Sequence, residues 1–285
     1  MLQRNKAGFR ELLVQYWKRI QRKILRIPPI AWMLRHISDE YERRLNARHP
    51  RSSIKPAETG WSIVVVTSGT PKEALAKLIE SARNELAGTP YEILVVGPSS
   101  LISLFPGKDI RIIPYRELGM ISGWITRKKN LGVEAARYEN VVVCHDYLVF
   151  TKGWKDGFDR FGNDFTVCTN KVTNMDGTRH RDWITWDYPE VGAGLLPYHA
   201  ECTKYQYIGG AYFIVKRDFY LDHPLDEKLR WGEGEDVEWS LDVRNYTKFS
   251  FNPYSIVTYS KQKSPIKGEW LTATKKLEEI FQEKQ

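Results

Sequence analysis

The sequence is poor in cysteine and has no long apolar run. Its three cysteines, Cys144, Cys168 and Cys202, are scattered along 285 residues and form no CxxC pair. This pattern excludes a disulfide framework and a cysteine-based metal site. No stretch approaches the roughly 20 uncharged apolar residues of a membrane-spanning helix, and charged side chains interrupt every signal-peptide-like run near the start. We therefore expect a soluble protein in a reducing cytoplasm.

The sequence also lacks the common phosphate-binding fingerprints. No GxGxxG motif follows the first apolar run, and neither GxxxxGKS nor GxxxxGKT occurs anywhere. These absences exclude the usual dinucleotide and P-loop sites. Any phosphate must be held in another way, for which a divalent metal supported by cationic side chains is the obvious alternative.

Positive charge is concentrated at one end of the chain. The formal net charge is +8, but residues 1–55 hold 14 Lys+Arg against 4 Asp+Glu, whereas the rest hold 29 against 31. The body is therefore close to neutral. A nucleic-acid-binding domain normally carries its charge on its fold, so we expect no nucleic-acid partner.

The basic N-terminal extension, residues 1–55, has a helical pattern. Apolar residues from Phe9 to Ile24 recur at spacings of three and four, with Lys and Arg between them. Pro28 and Pro29 end that helix, and a second helical stretch runs from about Ala31 to Asn46. Two interpretations stay open. The apolar face packs on the main domain or a second subunit, or residues 1–50 bind an anionic membrane surface, which would make the protein peripheral on the inner face of a membrane.

The body alternates apolar strands with helices. SIVVVTS (Ser62–Ser68), YEILVVG (Tyr91–Gly97), IRIIP (Ile110–Pro114) and NVVVCH (Asn140–His145) read as buried strands, with helices after Pro71 and from about Thr126 to Arg137. This rhythm predicts an α/β fold with a mostly parallel sheet. Residues 151–210 are loop-rich, with one strand near 165–169. Strands near 211–215 and 254–259, a helix near 235–244 and a C-terminal helical tail, residues 261–285, complete the prediction.

His145 and Asp146 end the fourth predicted strand. Ligand sites of open α/β sheets lie at the carboxyl ends of strands, where an Asp beside a His can hold Mg²⁺ or Mn²⁺ against phosphate oxygens. The alternative is an ordinary turn with a packed imidazole.

Several short motifs surround this pair in a fixed order. Arg127-Lys128-Lys129-Asn130-Leu131-Gly132 precedes it, Gly209-Gly210-Ala211 follows it, and Leu229–Asp236 reads LRWGEGED. In this order the residues resemble the GT-A class of nucleotide-sugar-dependent glycosyltransferases, particularly the inverting family 2-like group. The resemblance covers Trp61 to Tyr259. It implies a GT-A (Rossmann-like) domain over residues 61–260, with a nucleotide-sugar half (61–150) and an acceptor half (151–260).

The resemblance also implies roles for individual residues. Asp236 would be the general base and Glu235 would bind the acceptor, a glycan, polysaccharide or lipid-linked hydroxyl. Asp146 and His145 would hold Mn²⁺ or Mg²⁺. The nucleotide-sugar donor would be contacted by Thr67, Ser68, Gly69, Lys129, Asn130, His145 and Asp146, and the acceptor by Trp231, Gly209 and Gly210. Arg127 and Lys128 are further candidates for phosphate contact, against the alternative of a solvated face. Candidates for stacking against sugar rings are Trp154, Trp183, Trp186, Tyr188 and Trp231, with core packing as the alternative for each of them.

Two departures from the family pattern are visible. Val96-Gly97-Pro98-Ser99 stands where an acidic residue usually contacts the base or ribose, and His145-Asp146-Tyr147 replaces two aspartates around one residue. Two rival functions therefore stay open. A nucleotidyltransferase would show a basic, glycine-rich loop after its first strand, which Thr67-Ser68-Gly69-Thr70 matches poorly. A non-catalytic carbohydrate- or membrane-binding module would keep the fold without the chemistry.

Overall fold

The structure is a computed structural model that describes residues 28–46, 57–118, 123–201 and 203–282. The chain divides into two units, Met1–Arg48 with Arg116–Gly123, and His49–Tyr115 with Trp124–Gln285. The predicted helix over Phe9–Ile24 lies outside the described residues. Within those residues, no helix combines the length and apolar character that crossing a bilayer requires.

The first unit contains helix α1, Pro28–Leu45, where the sequence predicts a helix from Ala31. The two prolines occupy its first turn, in which a missing N–H is tolerated. The polar side chains Glu42 and Asn46 are buried. The Asn46 side chain donates to the Arg116 carbonyl at 2.9 Å and accepts from the Arg116 N–H at 2.8 Å. The opposite stripe of α1 is apolar and exposed, with Trp32, Met33, Ile37, Tyr41 and Leu45.

The second unit begins with the predicted alternation of strands and helices. Its first elements are β1 (Glu58–Val66), α2 (Lys72–Leu86), β2 (Tyr91–Gly97), β3 (Ile110–Pro114), α3 (Ile125–Ala135) and β4 (Tyr138–His145). The central residues of β1, β2 and β4 are mostly apolar and buried because both faces of these strands are covered. Ile63 and Val65 of β1 pack against α2, while Val64 packs on the other face against Val133 of α3.

The second half of this unit contains more regular structure than the sequence predicts. It comprises β5 (Leu148–Phe150), α4 (Trp154–Phe161), β6 (Val167–Thr173), β7 (Ile184–Tyr188), β8 (Gly192–Leu195), β9 (Tyr212–Lys216), α5 (Arg217–Asp222), α6 (Glu235–Val243), β10 (Phe249–Tyr259) and α7 (Glu269–Gln282). Helices α4 and α5 and the hairpin β7–β8 are too short for a clear periodic pattern. Strand β10 begins five residues before the predicted one, and α7 lies within the predicted helical tail, residues 261–285.

One eight-stranded sheet organises these elements in the order β3-β2-β1-β4-β9-β6-β10-β5. The pairs β3–β2, β2–β1, β1–β4 and β6–β10 are parallel, and β4–β9, β9–β6 and β10–β5 are antiparallel. The predicted α/β class with a mostly parallel sheet and flanking helices is confirmed. The strand order places β9 beside β4. The carboxyl end of β4 therefore meets the start of β9, which lies more than 60 positions later in the chain.

Candidate functional site

The carboxyl ends of β1 and β4 bring three of the predicted donor residues together. Val66 pairs with His145 in the parallel register, so Thr67 and Asp146 follow neighbouring strand ends. The Thr67 hydroxyl donates to Asp146 Oδ2 at 2.5 Å and accepts from the Gly69 N–H at 2.8 Å. Ser68 is exposed, and its hydroxyl donates to the Thr70 carbonyl at 3.3 Å. Thr67, Gly69 and Asp146 therefore form one hydrogen-bonded group.

His145, the last residue of β4, and Asp146, which follows it, lie near several lysine side chains. Burial raises the pKa of the Asp146 carboxyl, while the Thr67 hydrogen bond and the charges of Lys261 and Lys128 act in the opposite direction. Burial, followed by the charge of Lys129 and then of the other lysines, holds the pKa of His145 well below its usual value. The imidazole is therefore neutral at pH 7.

The basic run of α3 points into the protein. Arg127, Lys128 and Lys129 are all buried, so the alternative of a solvated face is wrong. Lys128 Nζ donates to the Thr67 carbonyl at 3.0 Å. Lys129 Nζ donates to the Gly210 carbonyl at 2.9 Å and lies 3.4 Å from Glu235 Oε1. Arg127 pairs with Glu227 at 3.0 Å. These cations fix the backbone on either side of the site.

Asn130 holds a loop in place. Its Nδ2 donates to the Leu225 carbonyl at 2.9 Å and to Glu227 Oε1 at 3.1 Å, and its Oδ1 accepts from the Tyr220 hydroxyl and the Leu225 N–H. A side-chain amide has two N–H donors and two acceptor lone pairs, so the protein itself satisfies all four. This arrangement does not support the predicted contact of Asn130 with the nucleotide-sugar.

The carboxylate predicted as the general base is bonded to the glycine motif. Asp236 lies in the first turn of α6, and its Oδ2 accepts from the Gly210 N–H at 2.7 Å. A Cβ at Gly210 would lie 3.0 Å from Asp236 Cβ, so any larger residue would push Asp236 away by a few tenths of an ångström. Asp236 is half-buried, whereas Glu235 is buried beside Lys129. Of the two carboxylates, Asp236 is the more accessible.

The two halves of the site meet through the β4–β9 pair. The His145 N–H donates to the Ala211 carbonyl at 3.1 Å. Ala211 directly follows Gly210, the glycine that contacts Asp236. Thr67, Lys129, Asp146, Gly210 and the Glu235-Asp236 pair thus belong to one continuous network. Because these positions span most of the chain, the strand order is what assembles them.

The aromatic candidates divide by burial. Trp154 is fully buried and donates to the Tyr212 hydroxyl at 3.0 Å, and buried Trp183 donates to the Ala200 carbonyl at 3.2 Å, so both are core residues. Trp186 and Tyr188 are half-buried. Trp231 is 61% exposed on the segment that leads into α6. It is the one of these five rings that is open to solvent.

Two lysines near Asp146 are absent from the predicted site. Lys261 Nζ and Lys263 Nζ lie 4.0 and 3.9 Å from the centre of the Tyr147 ring, beside Asp146 in the chain. They lie after β10, whose antiparallel pairing with β5 returns the chain to this edge. In the sequence these lysines appear as the run Lys261-Gln262-Lys263, which follows the last strand. It carries no meaning until the strand order is known.

Whether these residues fit a divalent ion depends on the ligand atoms that their side chains offer. Within the described parts of the chain, no group of three or more His, Cys, Asp or Glu side chains could hold a metal. Asp146 supplies one carboxylate, already bonded to Thr67, and lysine ammonium groups surround it. Mn²⁺ and Mg²⁺ favour several oxygen ligands. The residues therefore do not fit a resident divalent ion, and metal dependence stays a prediction of the resemblance.

Comparisons with known proteins bear on the fold. No family model matches the chain, and no curated protein matches its sequence. The crystal structure of GalNAc-T7 with UDP, GalNAc and Mn²⁺ aligns with a TM-score of 0.53 and 15% identity, covering 79% of this chain and 48% of that one. Crystal structures of S. aureus TarS 1–349, alone and with UDP, align at 0.47 and 15%, covering 70% of this chain and 60% of theirs. The chain thus spans about half to three fifths of these proteins. The alignment with GalNAc-T7 shows that it has a GT-A-like fold.

Proposed function

We propose that this protein is a glycosyltransferase that moves a sugar from a nucleotide-diphosphate-sugar to a hydroxyl group of a glycan, polysaccharide or lipid-linked acceptor. The observation that carries the proposal is the joining of two carboxylates, Asp146 and Asp236, across the β4–β9 pair of a GT-A-like fold. One carboxylate lies among cations suited to a diphosphate. The other is accessible and oriented for proton transfer.

The donor would bind at the ends of β1 and β4. The Thr67 hydroxyl donates to Asp146 and accepts from the Gly69 N–H, and these bonds fix the turn after β1. The remaining acceptor capacity of Asp146 is left for a hydroxyl group of the nucleotide-sugar. Lys128 holds the Thr67 carbonyl and adds positive charge at the same edge. His145, neutral at pH 7, can donate or accept one hydrogen bond without adding charge.

Asp236 would act as the general base. The Gly210 N–H binds one carboxylate oxygen, and the Val237 N–H binds the other at 3.1 Å, so the group has a fixed orientation. In the reaction, the carboxylate takes the proton of the acceptor hydroxyl while the acceptor oxygen attacks the anomeric carbon. The bond from that carbon to the diphosphate oxygen breaks, and its electron pair leaves with the diphosphate. Attack opposite the leaving group inverts the anomeric configuration.

The acceptor would lie beside α6. Trp231 offers an exposed ring for stacking against a sugar. The space beside Gly210 is taken up by Asp236, so this glycine serves the position of the base. Lys129 neutralises Glu235 and binds the Gly210 carbonyl, so it ties the acceptor side to the base. We assign Glu235 and Lys129 a positioning role through these contacts.

The test is the substitution Asp236→Asn, which keeps the size of the side chain and removes the base. We expect hydrolysis or transfer from UDP-glucose, UDP-N-acetylglucosamine or GDP-mannose to fall by about 10²–10⁴-fold in kcat. The matched control is Asp242→Asn on the exposed face of the same helix, which should retain the parental rate. Nucleotide release measures both. Parental turnover by Asp236→Asn contradicts the assignment, and donor binding by the parent without any turnover would favour a non-catalytic module.

Residues 1–50 are proposed to bind an anionic membrane surface. Support comes from their composition, because the cations and aromatic residues of the extension suit an interface between lipid and water. This would keep the protein peripheral on a membrane, close to lipid-linked acceptors.

A further inference from the structure

We propose that Lys261 and Lys263 bind the diphosphate of the donor and take the place of the divalent cation that the fold family leads one to expect. The inference rests on the proposed function and names the groups that hold the leaving group at the same site. The metal ligands that this chain offers differ from those of the family pattern.

The first observation is the shortage of anionic ligands. Asp146 is the carboxylate at the end of β4, and one of its oxygens already accepts from Thr67. The next residue is Tyr147, and the preceding strand residue is Cys144, fully buried in the core. A divalent ion would meet one partly used carboxylate and one imidazole. It would also meet the like charges of Lys128, Lys261 and Lys263, which repel it.

The second observation is the convergence of the two lysine ammonium groups. Both lie about 4 Å from the centre of the Tyr147 ring. Backbone bonds hold their segment in place. The Ser260 N–H donates to the Tyr147 carbonyl at 2.8 Å, and the Lys263 N–H donates to Asn174 Oδ1 at 3.0 Å. The backbone that carries the two lysines is therefore fixed before a ligand arrives, which lowers the entropic cost of binding.

The third observation is the charge balance. Among the described residues, neither Lys261 nor Lys263 has a carboxylate oxygen within ion-pair distance. Burial, together with the charges of Lys261 and Arg181, lowers the pKa of Lys263 to about 8. Asp146 is the carboxylate whose charge acts on these lysines, and it lies beyond ion-pair distance of both. Cations held close together in this way are stabilised by an anion that bridges them. A diphosphate has the charge and the number of oxygen acceptors to do so.

In the transfer step these lysines would stabilise the departing charge. The bond between the anomeric carbon and the diphosphate oxygen breaks, its electron pair stays on that oxygen, and the ammonium groups keep their protons as hydrogen-bond donors. The acceptor proton goes to Asp236. The chemistry therefore balances without a metal ion.

The experiment measures binding of inorganic pyrophosphate to the full chain by calorimetry in excess EDTA. We expect binding without metal, weakened about tenfold or more by Lys261→Met and by Lys263→Met, since a hydrogen bond to a charged group contributes about 1.5–3 kcal/mol. Lys263→Arg should remain within about threefold of the parent because the charge is kept. The control is Lys267→Met, an exposed lysine of the same segment, which should bind like the parent.

Two outcomes would overturn the inference. Pyrophosphate binding that appears only with added Mn²⁺ would restore the metal, and metal-free binding unaffected by both methionine variants would place the anion elsewhere, such as on the basic extension. The proposed function is tested separately, since Asp236→Asn should bind pyrophosphate normally. If turnover requires both Mn²⁺ and Asp236, the lysine site is rejected and the proposed glycosyltransferase function is kept. Lysine-dependent pyrophosphate binding with no nucleotide-sugar turnover supports the anion site and rejects the glycosyltransferase.

Discussion

The contact between Gly210 and Asp236 gives a prediction whose size follows from the geometry. The substitution Gly210→Ala would place a Cβ 3.0 Å from Asp236 Cβ and 3.1 Å from its Cγ and Oδ2. These contacts are tighter than ordinary ones, so the carboxylate must move by a few tenths of an ångström. The backbone at Gly210 suits any residue, so the effect is steric alone. A displacement of about 1 Å in a catalytic group can lower the rate by about 10²-fold.

We therefore expect Gly210→Ala to lower kcat for nucleotide-sugar turnover by about 2–10-fold, because the displacement is smaller than about 1 Å. Overpacking should also lower the free energy of unfolding by about 1–3 kcal/mol. The matched control is Gly194→Ala in β8, whose Cβ would lie 2.9 Å from Leu277 Cδ1 of α7. That variant introduces similar crowding outside the site. Its stability should fall while its kcat is kept. Nucleotide release and urea unfolding measure the two quantities.

Equal kcat values for Gly210→Ala and the parent would refute this reasoning. They would mean either that Asp236 is not the base or that its position is not critical. An equal loss of activity in both glycine variants would assign the effect to stability.

Two further predictions concern pH and the extension. Burial and the charges of Arg181 and Lys263 lower the pKa of His180 to about 4. The unfolded chain therefore takes up a proton below about pH 6.5 before the folded protein does, and stability falls from pH 6.5 toward 4. His180→Gln should reduce that fall by about 1–2 kcal/mol in urea unfolding, and parallel curves would contradict the assignment. If the extension binds membranes, Trp17→Ser with Ile20→Ser should weaken sedimentation with anionic vesicles. Unchanged sedimentation together with an altered oligomeric state would favour protein packing instead.

The lysine site changes how the departure from the family pattern is understood. His145-Asp146-Tyr147 has one carboxylate where two are expected, and the cations of Lys261 and Lys263 gather around Tyr147. The loss of negative charge and the gain of positive charge occur at the same place. Both changes favour direct binding of a diphosphate over binding through a metal.

Much of the candidate site could be predicted from local pattern. Thr67 and Asp146 were identifiable because each follows an apolar run long enough to be a buried strand. Asp236 was identifiable because two glycines and an acidic pair precede a helical pattern. The basic run Arg127–Lys129 could not be interpreted in the same way, because its charges suggest a solvated face. Its burial depends on backbone carbonyls and carboxylates supplied by residues 60 to 106 positions away.

The sequence by itself determined the strands of the first half and the ends at which ligands bind, because a strand covered on both faces reads as a nearly continuous apolar run. It also determined the glycines and carboxylates that mark α6. Only the tertiary structure decided that β9 lies beside β4 and that β10 returns Lys261 and Lys263 to the Asp146 edge. Strand order depends on contacts between distant residues, whereas periodicity records only which faces are buried. The residues available to hold a diphosphate were therefore decided by the order of the strands.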